Sequence, residues 1–310
     1  MSAIWLNPLW AVIGFPLGLV SYLYYLFNRK LDIDLKNKVV FISGASSGLG
    51  EACAEAFHTA GCKLILSGRK VQPLMDLKDR LTKKNISGYT PAIVTIDLDN
   101  LSSIANKMNQ VISAFGHVDI IINNAGQSYR GQAKNTKLDV DIKLMNVNYF
   151  GQIEITKAIL PHMIRQHSGQ IVVISSVQGK ISIPHRSAYA ASKHALQAYF
   201  DCLRAEVAQY NIGVCLVNPY YINTNLSRNA VTGDGTNYGK VDDNTKAGLK
   251  PENVARQILK CVISQTDELT LAPLHVQFII ALRNLAPWLF FKVMAARAKK
   301  ESNLYAANSN

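Results

Sequence analysis

Ser43-Gly44-Ala45-Ser46-Ser47-Gly48-Leu49-Gly50 closes a short apolar run, residues 38–43, and opens directly into a helical pattern over 51–60. Glycines at such a junction let the backbone turn tightly and approach a pyrophosphate, and the helix N-terminus behind them favours an anion. The spacing Gly44-x3-Gly48-x-Gly50 is not the GxGxxG of the commonest dinucleotide-binding turns. Its place between a strand and a helix is what gives it weight.

Outward from this turn the chain alternates. Gly61 ends the first helix. A strand at 63–66, a helix at 73–84, a strand at 92–96, a helix at 101–115 and a strand at 118–122 follow. A long helix over 140–163, interrupted near Pro161, leads to a strand at 169–175; a helix over 188–210 leads to a strand at 213–217. Apolar strands spaced by helical segments predict parallel βαβ units. The expected fold is therefore α/β, a doubly wound Rossmann-type parallel sheet in a single domain over 37–265. Residues 223–250, rich in Gly, Asn, Thr and Asp, read as a mobile loop.

The 310 residues are 48% hydrophobic, enough for one large core, and carry a formal net charge of +12. No basic stretch interleaved with aromatics occurs, so nucleic acid is not an expected partner. Five cysteines without a CxxC pair argue against a disulfide framework and against a metal site. Cys53 and Cys202 in helical patterns and Cys215 in an apolar strand read as buried free thiols.

Residues 1–30 read as an N-terminal transmembrane signal anchor. Residues 1–28 contain no charged side chain, and Trp5, Trp10, Tyr22, Tyr24 and Tyr25 lie toward the two ends of the apolar run. A cleaved signal peptide would want a basic n-region and a small-residue cleavage site, and neither is present. Arg29, Lys30, Lys36 and Lys38 follow the run, so the positive-inside rule puts the folded domain in the cytosol. Sequons at Asn85, Asn100 and Asn225 carry little weight against that rule. Residues 266–310 form an apolar, then basic extension. Phe278, Trp288, Phe290 and Phe291 are interrupted by Arg283, Pro287 and Lys292 and followed by Arg297, Lys299 and Lys300. Three readings stand: a segment on a membrane surface, a cover over the active site, or a core or dimer helix.

The chemistry centres on Tyr189 and Lys193, four apart and so on one helix face. A nearby ammonium favours phenolate and should draw the Tyr189 pKa toward neutrality, making it a proton donor to a carbonyl reduced by hydride. Ser176 can hydrogen-bond the same oxygen as charge develops. Strand two ends at Ser67-Gly68-Arg69-Lys70, where an acidic residue would suit a ribose hydroxyl and Arg69 instead suits a 2′-phosphate.

These stretches resemble the classical short-chain dehydrogenase/reductase family from residue 37 to 265. The glycine turn is similar to TGxxxGxG with Ser43 for Thr. Asn123-Asn124-Ala125-Gly126 is similar to NNAG, Asn148 to the catalytic Asn, Ser176 and Tyr189-x3-Lys193 to the catalytic Ser and YxxxK, and Asn218-Pro219 with Thr224 to the turn after strand six. The resemblance implies a nicotinamide cofactor, NADP(H) by Arg69. It implies a binding set of Ser43, Gly44, Ser46, Ser47, Gly48, Leu49, Gly50, Arg69, Asp97, Leu98, Asn124, Ala125, Gly126, Tyr189, Lys193, Pro219 and Thr224. Lys193 would hold the nicotinamide ribose, and Asn148 would order a water relaying protons to it. One departure stands out: Tyr220 and Tyr221 follow Pro219 where the family commonly has Gly, so with Ser176 they are expected to shape the substrate space.

Residues 179–184, 187–194, 201–206 and 224–227 further resemble the membrane-bound 7B and 7-like subgroup of the family, linked to reduction of acyl- or alkyl-dihydroxyacetone phosphate. The function expected is an NADPH-dependent reductase of a lipophilic ketone or aldehyde. It would be held at a membrane, the endoplasmic reticulum first and the peroxisome second; a homodimer is compatible with the sequence. The rivals are a luminal steroid or retinoid dehydrogenase and a catalytically silent NADP-binding scaffold. The presence of Ser176, Tyr189, Lys193 and Asn148 together argues against the latter.

Overall fold

The computed structural model describes residues 18–20, 23, 32–84, 86 and 88–307. The anchor expected over 1–30 therefore lies largely outside the described residues, as does the sequon Asn85. Among the described residues no helix is long and apolar enough to cross a membrane.

Seven parallel strands build the sheet: β1 Val39–Ser43, β2 Lys63–Gly68, β3 Ala92–Thr95, β4 Ile120–Asn123, β6 Gly169–Ile174, β7 Ile212–Pro219 and β9 Glu268–Leu271. Their order is β3-β2-β1-β4-β6-β7-β9. All five residues of β1 and all six of β6 are buried, as expected when helices cover both faces of a parallel sheet. On one face, α1 Gly48–Thr59, α2 Val71–Lys84 and α8 Pro251–Ile263 pack through Phe57, Leu74, Leu77, Leu81 and Ile258. On the other, α3 Leu101–Phe115, α5 Gly151–Gln166 and α6 Ser187–Val207 pack through Ile104, Met108, Ile159, Leu196 and Phe200. Leu74, Leu77 and Leu81 of α2 sit at i, i+3 and i+7, the spacing that turns one helix face inward.

The doubly wound expectation holds, and its details change in four places. The helix expected over 140–163 begins at Leu138 as α4 Leu138–Met145 and is not broken at Pro161, which lies inside α5. A proline in a helix interior costs roughly 3 kcal/mol or more; here Ile153, Ile155, Ile159 and Met163 are buried in the core and keep the helix in place. The irregularity falls earlier, as a π-helical turn at Asn146–Phe150. Second, β9 extends the sheet beyond residue 265. Third, residues 223–250 are not bare loop. They contain β8 Val231–Thr232, which pairs in parallel with β5 Tyr129–Arg130, and the short helix α7 Asp243–Lys246. Ser227, Ala230, Val231 and Thr245 are buried there. Fourth, Cys202 is exposed, because it faces outward on α6, whereas Cys53, Cys62, Cys215 and Cys261 are buried free thiols. The chain ends in α9 Leu274–Leu285 and α10 Pro287–Ala307, two helices packed on each other.

Candidate active site

The chain reverses direction across the sheet between β1 and β4, and open α/β folds bind ligands at the carboxyl ends of the strands at such a point. A cavity of about 290 Å³ lies there. The glycine turn forms one end of it. Gly44 and Gly48 adopt left-handed φ angles of 68° and 58°, which L-side chains rarely take. A Cβ on Gly50 would stand 2.1 Å from the Gly44 carbonyl oxygen, so α1 can only approach the turn as bare backbone. Gly50 thus packs behind the turn, while Ser43, Gly44, Ser46, Ser47, Gly48 and Leu49 line the cavity.

The Asn-Asn-Ala-Gly stretch fixes the turn from the neighbouring strand. Ser43 Oγ donates to the Ile122 carbonyl and accepts from the amides of Asn124 and Ala125, each at 3.0 Å. Asn124 Nδ2 donates back to Ser43 O at 3.0 Å and Gly44 O at 3.2 Å. Arg69 and Asp97 are exposed at the cavity rim, at the ends of β2 and β3. Leu98 is buried, and a Cβ on Gly151 would stand 2.7 Å from its own. Gly126, Pro219 and Thr224 complete the wall, with the Thr224 methyl 3.0 Å from where a Cβ on Gly48 would lie.

Ser176, Tyr189 and Lys193 face the other end of the cavity, together with Tyr220 and Tyr221. Ser176 lies beyond β6, and its Oγ accepts from the Gln178 amide at 3.1 Å and hydrogen-bonds Tyr189. Lys193 Nζ donates to the Ile174 carbonyl at 2.8 Å and lies 5.8 Å from the centre of the Tyr189 ring. Burial pushes the Lys193 ammonium down to about 7. Burial likewise holds the Tyr189 phenol above its ordinary range, against the opposing pull of the Ser176 hydroxyl, Arg130 and Arg186. The expectation that the Lys193 charge draws Tyr189 toward neutrality is therefore corrected. Both groups are desolvated, and the two cations that act on the phenol are arginines from outside the motif.

Asn148 stands close to Lys193, across Gly126. It is fully buried behind the cavity wall on the π-helical turn. Its Oδ1 accepts from the Gln127 amide at 2.7 Å, and its Nδ2 donates to the Gln127 carbonyl at 2.9 Å and to Ser192 Oγ at 3.0 Å. Its carboxamide therefore holds the strand-four loop against α6. A Cβ on Gly126 would stand 3.2 Å from Asn148 Oδ1 and 3.7 Å from Lys193 Nζ, which shows how closely the three approach.

Tyr220 and Tyr221 pack edge to face with centroids 4.7 Å apart. The Tyr220 amide donates to the Leu271 carbonyl, and Tyr221 hydrogen-bonds Arg297 of α10. The two rings are thus half-buried wall, tied to the C-terminal elements.

Sequence reasoning missed Arg130. It is buried, lines the cavity, and donates to Asp242 through Nε at 2.9 Å and Nη2 at 2.5 Å, to Ser128 Oγ at 2.7 Å and to the Tyr129 carbonyl. Arg186 joins the same Asp242 carboxylate at 3.7 Å. Tyr129 packs in one cluster with Tyr189. No local motif announces this arrangement; an arginine soon after the Asn-Asn-Ala-Gly turn was the only signal.

A bare glycine turn fits a nicotinamide dinucleotide, and a Ser–Tyr–Lys end fits the oxygen of an alcohol or carbonyl. Together they define an NAD(P)-dependent oxidoreductase acting on such groups. The comparisons agree. The short chain dehydrogenase family model matches residues 38–234. Dehydrogenase/reductase SDR family member 7B of Xenopus tropicalis is 50% identical over 301 residues, covering 95% of this chain and 97% of that protein. A short-chain dehydrogenase from Streptomyces avermitilis superposes with a TM-score of 0.72 at 28% identity, over 84% of this chain and 97% of that one. A Burkholderia phymatum short-chain dehydrogenase/reductase in complex with NAD shares the fold, at a TM-score of 0.73 and 23% identity over 83% of this chain and 96% of that one. This chain belongs to the short-chain dehydrogenase/reductase family, of the 7B and 7-like type.

Proposed function

We propose that the protein reduces a lipophilic ketone or aldehyde with NADPH, the candidate substrate being acyl- or alkyl-dihydroxyacetone phosphate. The observation that carries the reading is Ser176, Tyr189 and Lys193 at one end of a cavity whose other end is a bare glycine turn rimmed by Arg69. The nicotinamide, when bound, supplies the hydride. Tyr189 gives its phenolic proton to the carbonyl oxygen, Ser176 hydrogen-bonds that oxygen as charge builds on it, and Lys193 restores the proton to the tyrosine side. Lys193, near 7, is suited to carrying a proton at physiological pH. NADPH oxidation on long-chain acyl-dihydroxyacetone phosphate, set against a short water-soluble ketone, tests the reading; no oxidation on either would overturn it.

Arg69 supplies the cofactor preference. It stands where NAD-dependent enzymes carry an acid for the ribose hydroxyl. Arg69→Asp should lower kcat/KM with NADPH and raise the NADH-to-NADPH ratio by roughly 10–100-fold, since a charge-assisted phosphate contact is replaced by repulsion. An unchanged ratio removes Arg69 from this role.

Arg130 lowers the Tyr189 pKa, so its removal raises it. Reduction needs the protonated phenol and declines as pH rises through that pKa. In Arg130→Met the alkaline decline should therefore shift to higher pH, while Arg130→Lys, which keeps the charge, should shift it less. A pH profile of kcat identical in wild type and Arg130→Met would show that the arginine only holds Asp242.

The apolar run over residues 1–30 supports anchorage in the endoplasmic reticulum or peroxisomal membrane, with the domain in the cytosol. Deleting residues 1–30 should release much of the protein from carbonate-washed membranes with the fold intact, because the first strand begins at Val39. Full retention in the pellet would assign anchorage elsewhere.

A further inference from the structure

The outer face of α9 runs against the usual pattern of a surface helix. Leu274, Phe278, Ala281 and Leu285 fall at i, i+4, i+7 and i+11 on one stripe. That stripe faces out: Leu274 is 83% exposed, Phe278 66% and Leu285 85%, while Val276 on the opposite side is buried. A water-soluble helix turns such a stripe inward. At the start of α10, Trp288, Phe291 and Val293 are also exposed while Phe290 is buried. The hairpin thus presents one apolar patch with aromatics, of the kind that marks an interaction site.

Its charges are mostly positive, the one acid being Glu301, which Arg297 pairs at 2.8 Å. From 274 to 300 the chain carries Arg283, Lys292, Arg297, Lys299 and Lys300 and no Asp or Glu. The Arg283 guanidinium lies 5.0 Å from the Phe291 ring centre and Lys292 Nζ lies 5.3 Å from that of Trp288. Cationic heads beside exposed aromatic rings suit the headgroup level of a bilayer, where apolar bodies sink and charges stay wet. A second copy fits poorly: a two-fold contact would bring two sets of these cations together, with only Glu301, already paired with Arg297, to offset them.

The hairpin also reaches the wall of the cavity at Tyr220 and Tyr221. The His275 ring centre lies 6.5 Å from that of Tyr220, and Arg297 bonds Tyr221 and Glu301, the latter at 2.8 Å. Glu301 in turn reaches His185, just before the helix that carries Tyr189, at 3.7 Å.

We propose that the α9–α10 hairpin docks on an anionic bilayer surface and sets the Tyr220–Tyr221 side of the cavity against it, so that substrate enters from the lipid. The docking stands apart from the reductase reading; only the entry of substrate from lipid rests on that reading.

Trp5, Trp10 and Trp288 are the only tryptophans. The full chain carrying Trp5→Phe and Trp10→Phe, reconstituted in phosphatidylcholine–phosphatidylserine vesicles with brominated acyl chains, makes Trp288 the sole reporter. Its emission should be quenched about twofold or more, and less in vesicles without phosphatidylserine, as expected of a basic interfacial helix. Phe278→Ser with Phe291→Ser should abolish the quenching. The same pair should lower kcat/KM for a vesicle-borne long-chain ketone on the order of tenfold, with a short soluble ketone unaffected. Absence of quenching in the vesicle-bound chain overturns the proposal. So does Trp288 burial that follows protein concentration, which would assign the face to a second copy, or burial on adding an acidic protein in place of lipid. If no ketone is reduced while Trp288 is quenched, the docking stands and the reductase reading fails.

Discussion

Tyr189→Phe should lower turnover by roughly 10²–10⁴-fold, the range a positioned proton donor contributes. The substitution removes one oxygen and leaves the ring, which packs with Tyr129, Val140 and Leu144. Stability should therefore change little, and nicotinamide-nucleotide affinity should stay close to wild type, because the glycine turn at the far end of the cavity is untouched. The lost hydroxyl also frees the Ser176 hydroxyl, which still holds the Gln178 amide. Stopped-flow turnover and nucleotide titration on the same preparation separate the two quantities. Wild-type-like turnover would remove Tyr189 from the chemistry; loss of nucleotide binding in step with turnover would recast it as a structural residue.

Gly50→Ala is expected to be the most damaging single methyl in the cofactor half. The added carbon would lie 2.1 Å from Gly44 O and 2.6 Å from Asn124 Nδ2, inside contact distance of backbone and of the side chain that ties β1 to β4. Neither is the free end of a flexible chain, so α1 or the turn must move. Overpacking of this sort costs ~1–3 kcal/mol or more, and each kcal/mol lowers Tm by roughly 2–4 °C in a domain of this size. Nucleotide affinity should fall with it, since the turn that would face the pyrophosphate is displaced. Differential scanning calorimetry and nucleotide titration check both; an unchanged Tm with unchanged affinity would mean that α1 shifts freely.

Much of the site was legible because its signals are local. The glycine turn, the Asn-Asn-Ala-Gly stretch and the Tyr189–Lys193 spacing each depend on a few consecutive residues at a strand end or on one helical turn. The alternation of apolar strands and helical patterns likewise follows from periodicity within short windows, and so the doubly wound sheet could be read from it. The sequence by itself determined the family, the alternation of the first six sheet strands with helices, and the motif residues that meet at the cavity.

What escaped the sequence depends on contacts between distant segments. The strand β9, four residues with Glu268 exposed and the rest half-buried, earns its place only by pairing with β7. The π-helical turn at Asn146–Phe150 is invisible to helical periodicity, and it is the element that carries Asn148, whose carboxamide closes on the Gln127 backbone. Arg130 and Asp242 are 112 residues apart in sequence and meet only when β8 pairs with β5. The Arg130 charge acts on Tyr189, and the depth at which Tyr189 and Lys193 are buried moves the proton affinities of both. Spacing placed the lysine beside the tyrosine. Only the tertiary structure decided that both lose their water, because desolvation is a property of the whole packed neighbourhood and of no single stretch of chain.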